Sequence, residues 1–420
     1  MNDINFDDQL VKNQYENYPY PERKPEDEKN RLITGSPSNL SEVNHYVFGG
    51  RRDLSKPLSV LVAGGGTGDA AILMAQQMID FGVPGEVVHL DQSDSSQMIA
   101  KERAKVRGLG NIRFVKGSLF DVSKIAPGPW DYIDCCGVLH HLDDPSAGLS
   151  SLTEVLAIGG GLGLMVYGEL GRIGVYHVQE MMSKLAPTGK IDDLQRISIA
   201  KRLMASLPAT AWFNRNSQIV DHKNGGDAGI FDLFLHARDK PYRVNDVVEL
   251  VANANLRLVS FIEPYRYEPL LFVRDPKLKK IITELSYIEK AAFAETYLGN
   301  IKKHIFYAVN KENNINLPKA ESGNVIPVLV NHTPEEIAKQ MPTGGNISVV
   351  SDGHKIDMYV PSLSHAIVAL CDGRRDLFSI HNVIRQKRND LDYEEFINQF
   401  NRLYSVMNSI NRMVLRMPIS

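Results

Sequence analysis

From residue 57 to about 168, short apolar runs alternate with stretches of helical periodicity. The runs are LSVLVAG (58–64), EVVHLDQS (86–93), NIRFVKGS (111–118), WDYIDCCGV (130–138) and GLGLMVYG (161–168). Near-continuous apolar runs of this length, separated by helices, predict parallel strands buried on both faces. The intervening DAAILMAQQMIDFG and SSQMIAKERAKVRGLG read as helices that stop at glycine, where a left-handed residue closes the last turn. Beyond 170 the pattern is helical through VYHVQEMMSKL and IDDLQRISIAKRLMASL, with no strand until about Phe231. VNDVVELVANANL then predicts a helix, LRLVSFIEP a strand, and KKHIFYAVNK (302–311) another strand. Residues 57–311 therefore read as one α/β domain with a helical insertion at about 170–230.

The flanks differ. Residues 1–56 are polar and carry Tyr15, Tyr18, Pro19, Tyr20 and Pro21 close together. Proline fixes φ and removes a donor, so this segment reads as a loop or wrapped arm, a lid over the domain. Residues 312–322 are polar and read as a linker. Residues 323–420 then form a small α+β domain: two short strands around SDGHK, three helices and a terminal strand.

Composition narrows the function classes. The chain of 420 residues is 43% hydrophobic and 23% charged, with a net charge of −3. Such a balance is ordinary for a globular protein and offers no global field for nucleic acid. The three cysteines, two of them adjacent, exclude a disulfide framework and a paired-cysteine zinc site. No metal is expected. The acidic N-terminus is not a signal peptide, and no run of about 18 apolar residues marks a membrane span. A cytoplasmic protein with no membrane partner is expected.

Chemistry concentrates in LSVLVAGGGTGDA. A strand runs into Gly64, Gly65, Gly66, Thr67 and Gly68, and a helix begins near Asp69. Glycines let the backbone turn and let a ligand approach the main chain. The spacing is G-x-G-x-G, not the G-x-G-x-x-G of a dinucleotide site, and no Gly-Lys-[Ser/Thr] ending completes a P-loop. Asp69 at the helix head would also repel a pyrophosphate, which counts against a nicotinamide dehydrogenase. Asp91 ends the second run, where a carboxylate accepts hydrogen bonds from a ribose diol. The third run leads into GSLFD and the fourth into CCGVLHHL, both at the carboxyl edge where open α/β sheets bind ligands.

These motifs resemble those of the class I S-adenosylmethionine-dependent methyltransferases. VLVAGGGTGDA looks like their first motif, Asp91 like the ribose-binding acid, GSLFD like the adenine-side loop, and WDYIDCCGVLHHL like the fourth motif. The resemblance covers roughly 57–168 and 231–311. It implies a seven-stranded Rossmann-like sheet whose last strand is antiparallel, with S-adenosyl-L-methionine as cofactor and S-adenosyl-L-homocysteine as product. Carried over residue by residue, it implies cofactor contacts at Ala63, Gly64, Gly65, Gly66, Gly68, Asp69, Asp91, Gln92, Ser118, Leu119, Cys136, Gly137 and His141. One departure is Val62, where the family often has an acid near the methionine amino group; Asp69 or a backbone carbonyl is the substitute this reading offers.

An acceptor lone pair must reach the methyl group in line at about 3 Å. The polar aromatics Tyr18, Tyr20, His45, Tyr46 and Tyr167 in the arm and lid are candidates for shaping that pocket, by cation–π contact or by packing alone. The C-terminal domain resembles winged-helix recognition elements and the C-terminal modules of bacterial protein lysine methyltransferases. That points to a protein or peptide amine as methyl acceptor. The alternatives are a small-molecule methyltransferase and a winged-helix regulator with a cofactor-sensing domain. Winged helices also dimerise, which leaves a homodimer open.

Overall fold

The computed structural model describes residues 6–216, 218–351 and 353–418. Its central element is a seven-stranded sheet of β1 (Leu58–Ala63), β2 (Gly85–Asp91), β3 (Ile112–Lys116), β4 (Trp130–Cys136), β5 (Leu156–Tyr167), β6 (Leu256–Phe261) and β7 (Lys303–Asn310). The order is β3-β2-β1-β4-β5-β7-β6, and β7 alone runs antiparallel to its neighbours. Side chains alternate across this sheet. Leu61, Ala63, Ile133 and Cys135 join one core cluster, while Val60, Val62 and Tyr132 join the cluster on the other face. Both faces of the central strands are covered, which is why their sequences read as continuous apolar runs.

The helical stretch after β5 extends further than its periodicity suggested. Helices span Ile173–Leu185, Asp193–Ser206 and Gly226–Phe234. The apolar run around Phe231 is the buried side of the last of these: Ile230, Phe231, Leu233 and Phe234 pack with Val175, Val178 and Ile197. A short buried helix and a strand have the same apolar signature.

The N-terminal arm also holds more structure than its proline cluster implied, with helices at Phe6–Asn17 and Leu40–Phe48. Asn39 caps the second helix, its side chain accepting from the amides of Ser41 and Glu42, and Gly49 ends it at φ 59°. Leu40, Val43, Tyr46 and Val47 press onto the sheet beside Val60, Val62 and Tyr307. Close approach there requires glycine in β5: a Cβ at Gly163 would lie 1.9 Å from Tyr132 Oη and 2.6 Å from Pro37 Cβ.

The C-terminal residues form a hairpin of β9 (Gly345–Ser351) and β10 (His354–Val360), helices at Ser364–Ala369, Leu377–Arg385 and Tyr393–Ser409, and a second two-stranded sheet. In that sheet the terminal strand β11 (Met413–Arg416) pairs antiparallel with β8 (Ile326–Leu329), a four-residue strand the sequence pattern did not single out. This domain packs on the Leu40–Phe48 helix: His45 Nδ1 lies 2.8 Å from the Leu415 carbonyl, and Asn411 Nδ2 donates to Glu42 and Ser36 at 3.0 Å each. The segment 312–322 lies against the main domain, with Ile315 and Leu317 in its core cluster and Arg257 donating to the Asn313 carbonyl. Among the described residues, no helix is long and apolar enough to cross a membrane.

Candidate functional site

A cavity of about 490 Å³ opens at the carboxyl ends of β1, β2, β3 and β4. Its floor is the glycine loop, where Gly64 (φ 71°) and Gly66 (φ 51°) need left-handed backbone. The Gly64 and Gly65 amides donate to the Leu90 carbonyl, and the Gly66 amide donates to Asp91 Oδ2 at 2.8 Å. A Cβ at Gly65 would meet the His89 ring at 2.4 Å, so the loop packs too tightly for any larger residue. Asp91 Oδ1 accepts from the Ser93 amide at 2.8 Å. Each oxygen is thus anchored by one amide and keeps a lone pair for a ligand hydroxyl.

Of the residues expected around a cofactor, Gly64, Gly65, Gly66, Asp69, Asp91, Gln92, Ser118, Leu119, Cys136, Gly137 and His141 line this one cavity. Two do not. Ala63 turns to the opposite face of β1 and packs with Cys135. Gly68 caps the Asp69–Asp80 helix, where its missing side chain admits Ala100; a Cβ there would stand 2.8 Å from Ala100 Cβ.

Asp69 is not free to hold an amino group. Arg23 Nη2 reaches it at 2.6 Å and Arg103 Nη1 at 2.7 Å. Burial raises its pKa, but these two guanidiniums outweigh that and hold it below the usual carboxylate value. Arg103, 1% exposed, also pairs with buried Glu28 at 2.5 Å and donates to the Thr67 carbonyl. Thr67 Oγ1 donates to the Pro21 carbonyl, and Ser93 Oγ to Glu16 at 2.6 Å. These long-range bonds fold the arm over the cavity, bringing Val11, Tyr15, Tyr20, Pro21 and Arg23 into its wall.

Among the acceptor-side candidates, Tyr20 and Tyr167 line the cavity; Tyr18, His45 and Tyr46 do not. Tyr18 stacks on Phe231 at 4.8 Å, as a packing residue of the insertion. His45 and Tyr46 are sealed beneath the C-terminal domain, where Asn408 donates to Tyr46 Oη and burial pushes His45 down to about 4. Both are removed from the acceptor pocket because both sides of their helix are covered.

The sequence reading missed Asp134 and Asp232. Asp232, 4% exposed, accepts from Tyr15 Oη at its Oδ1 and from Tyr167 Oη at its Oδ2, each at 3.3 Å. Burial, offset in part by Arg172, pushes its carboxyl up to about 7. His236 Nδ1 accepts the Arg238 amide at 3.0 Å, so this neutral ring carries its proton on Nε2, 3.2 Å from Tyr15 Oη. His141, Asp232 and His236 lie within metal-ligand reach of one another. With Nδ1 accepting and Nε2 protonated, however, His236 presents no lone pair to an ion, and His236, Tyr15 and Asp232 form a hydrogen-bonded chain. Asp134, on β4, accepts from Ser38 Oγ at 2.7 Å through Oδ2; its buried Oδ1 has no hydrogen-bond partner among the described residues.

Four aspartates (69, 91, 134 and 232) thus line the cavity against Arg23 and Lys303. Asp69 is already paired with Arg23 and Arg103, so a cationic ligand would meet Asp91, Asp134 and Asp232.

Residues 61–162 match the family described as "Methyltransferase domain". A search of curated proteins finds an uncharacterized protein of Synechococcus sp., 29% identical over 269 residues, which are 62% of this chain and 61% of that protein. It also finds the tRNA 5-carboxymethoxyuridine methyltransferase of Escherichia coli K12, 38% identical over 117 residues, or 27% of this chain and 42% of that enzyme. The chain therefore spans about three-fifths or less of these relatives' length. Among solved structures, PKMT2 from Rickettsia typhi superposes with a TM-score of 0.62 at 13% identity, covering 90% of this chain and 75% of that one. The same protein in complex with S-adenosylhomocysteine gives 0.60. Residues 61–162 thus match a methyltransferase domain, set in a seven-stranded, Rossmann-like methyltransferase fold.

Proposed function

We propose that this protein transfers a methyl group from S-adenosylmethionine to an amine of a polypeptide, with Asp232 as the base. The observation that carries it is the buried Asp232 carboxyl between Tyr15 and Tyr167, in the same cavity as the glycine loop and Asp91. Bound there, S-adenosylmethionine supplies a methyl group already activated on a sulfonium. The residues present fit that group: the glycine loop leaves main chain open to it, Asp91 keeps lone pairs for a ribose diol, and Asp134 and Asp232 can ionise against its cationic charge. Ser118 and Leu119 stand beside β3, where the adenine would lie.

The chain's own work is to hold the acceptor. Tyr15, Tyr20 and Tyr167 line the cavity, and the folded arm walls it on that side. An amine attacks only when neutral, so it must give up one proton. A carboxylate poised near 7 accepts that proton well, and the Tyr15 and Tyr167 hydroxyls keep its two oxygens oriented. The likeness to Rickettsia typhi PKMT2, which covers 90% of this chain, supports a polypeptide acceptor over a small molecule.

Labelled S-adenosylmethionine supplied with the protein and either denatured cell protein, bulk tRNA or a small-molecule extract tests this. Label should enter protein at an amine. For Asp232→Asn, kcat should fall by about 10²–10⁴-fold with cofactor affinity retained. The wild-type kcat/KM should rise with pH through about 7 as the carboxyl ionises. Label confined to tRNA or to a small molecule would overturn the acceptor assignment.

A further inference from the structure

Three of the cavity's four carboxylates are engaged. Asp69 holds Arg23 and Arg103, Asp91 accepts the Gly66 and Ser93 amides, and Asp232 sits between two tyrosines. Asp134 differs. It is 1% exposed and lines the cavity, yet its Oδ1 meets no donor among the described residues. A buried carboxylate oxygen without a donor is costly, and such a group in a ligand cavity points to a donor the ligand brings.

Register narrows the choice of that donor. Asp134 is the Cα partner of Val62 in the β1–β4 ladder, and both side chains face the cavity. Val62 occupies the place where the resemblance leads one to expect an acid. With Asp91 on the ribose and Ser118–Leu119 beside the adenine, the order β3-β2-β1-β4 carries the rest of the cofactor across β1 toward Asp134.

We propose that Asp134 receives the ammonium group of the cofactor's methionyl end, supplying from β4 the carboxylate that β1 lacks. Ser38, donating to Oδ2 at 2.7 Å, is the positioning residue: it holds Oδ2 and leaves Oδ1 for the ligand's donor. Burial pushes the carboxyl up to about 7 against the Ser38 hydrogen bond, so an incoming cation meets a group with much to gain from pairing.

The inference rests on the S-adenosylmethionine reading, and calorimetry with three ligands keeps the two separable. S-adenosylhomocysteine carries both the ammonium and the carboxylate, decarboxylated S-adenosylhomocysteine only the ammonium, and 5′-methylthioadenosine neither. Asp134→Asn should weaken the first two by roughly ten- to a hundredfold and change the third by less than about threefold. Adding Val62→Asp to Asp134→Asn should recover much of the loss, which a merely misfolded variant would not do. Equal S-adenosylhomocysteine affinity in wild type and Asp134→Asn, or an equal loss for all three ligands, would overturn the assignment of Asp134. Wild-type protein that binds none of the three would instead overturn the cofactor reading on which it rests.

Discussion

Replacing Asp134 with asparagine should stabilise the unliganded protein at neutral and alkaline pH and leave it nearly unchanged in acid. The carboxyl is 1% exposed, and burial pushes it from 3.8 up to about 7 against one hydrogen bond from Ser38. Folded, the group keeps its proton until about pH 7; unfolded, it loses it near pH 4. Between those values the folded state binds more protons, so stability falls as pH rises through that window. About three pKa units at about 1.4 kcal/mol each set an upper bound of about 4 kcal/mol above pH 7. Relaxation around a buried ion lowers such figures, so a gain of about 1–4 kcal/mol is expected. Asparagine is neutral throughout and still offers Ser38 an acceptor oxygen. Other raised carboxyls, such as Glu42 at about 7, remain in both proteins and cancel in the comparison. Urea unfolding followed by circular dichroism at pH 4.5 and pH 8 measures the gap. A variant less stable than wild type at pH 8, or a gap that does not grow with pH, would refute the reasoning.

Asp91→Ala removes the acceptor for a ribose diol, and calorimetry should show S-adenosylhomocysteine affinity reduced by roughly one to three orders of magnitude. Arg103→Ala leaves Glu28 with Arg107 alone and Asp69 with Arg23 alone and loosens the arm, so chemical unfolding should report a loss of about 1.5–3 kcal/mol. Asn411→Ala lies outside the cavity, but it cuts the bonds to Ser36 and Glu42 that pin the cavity-wall loop containing Thr34 to Ser38. Affinity for S-adenosylhomocysteine should drop about two- to tenfold; unchanged affinity would mean that the C-terminal domain does not brace the cofactor site.

What was legible in the sequence was what neighbouring residues decide together. The strands of the central sheet show because strands buried on both faces must be apolar throughout, and the glycine loop shows because its turn admits little else. Asp134 did not stand out: an acid inside an apolar strand acquires meaning only when register sets it beside Val62. Asp232 and Tyr15 are 217 residues apart, joined by an arm whose path depends on buried Glu28 and Arg103 rather than on a local pattern. His45 and Tyr46 misled for a related reason. Their helix looks like part of a lid until β11 and the Tyr393–Ser409 helix are seen to cover its outer face. The Asn411 contacts also mean that the C-terminal domain is joined to the cofactor side of the molecule, so removing it would disturb more than acceptor recognition.

Calorimetric titration of the purified protein with S-adenosylhomocysteine and, separately, with NAD bears most directly on the methyl-transfer reading. The G-x-G-x-G loop, the lone pairs left on Asp91 and the Asp134 Oδ1 without a donor among the described residues predict saturable, one-to-one binding of S-adenosylhomocysteine and no measurable binding of NAD. Binding of NAD without S-adenosylhomocysteine would contradict it.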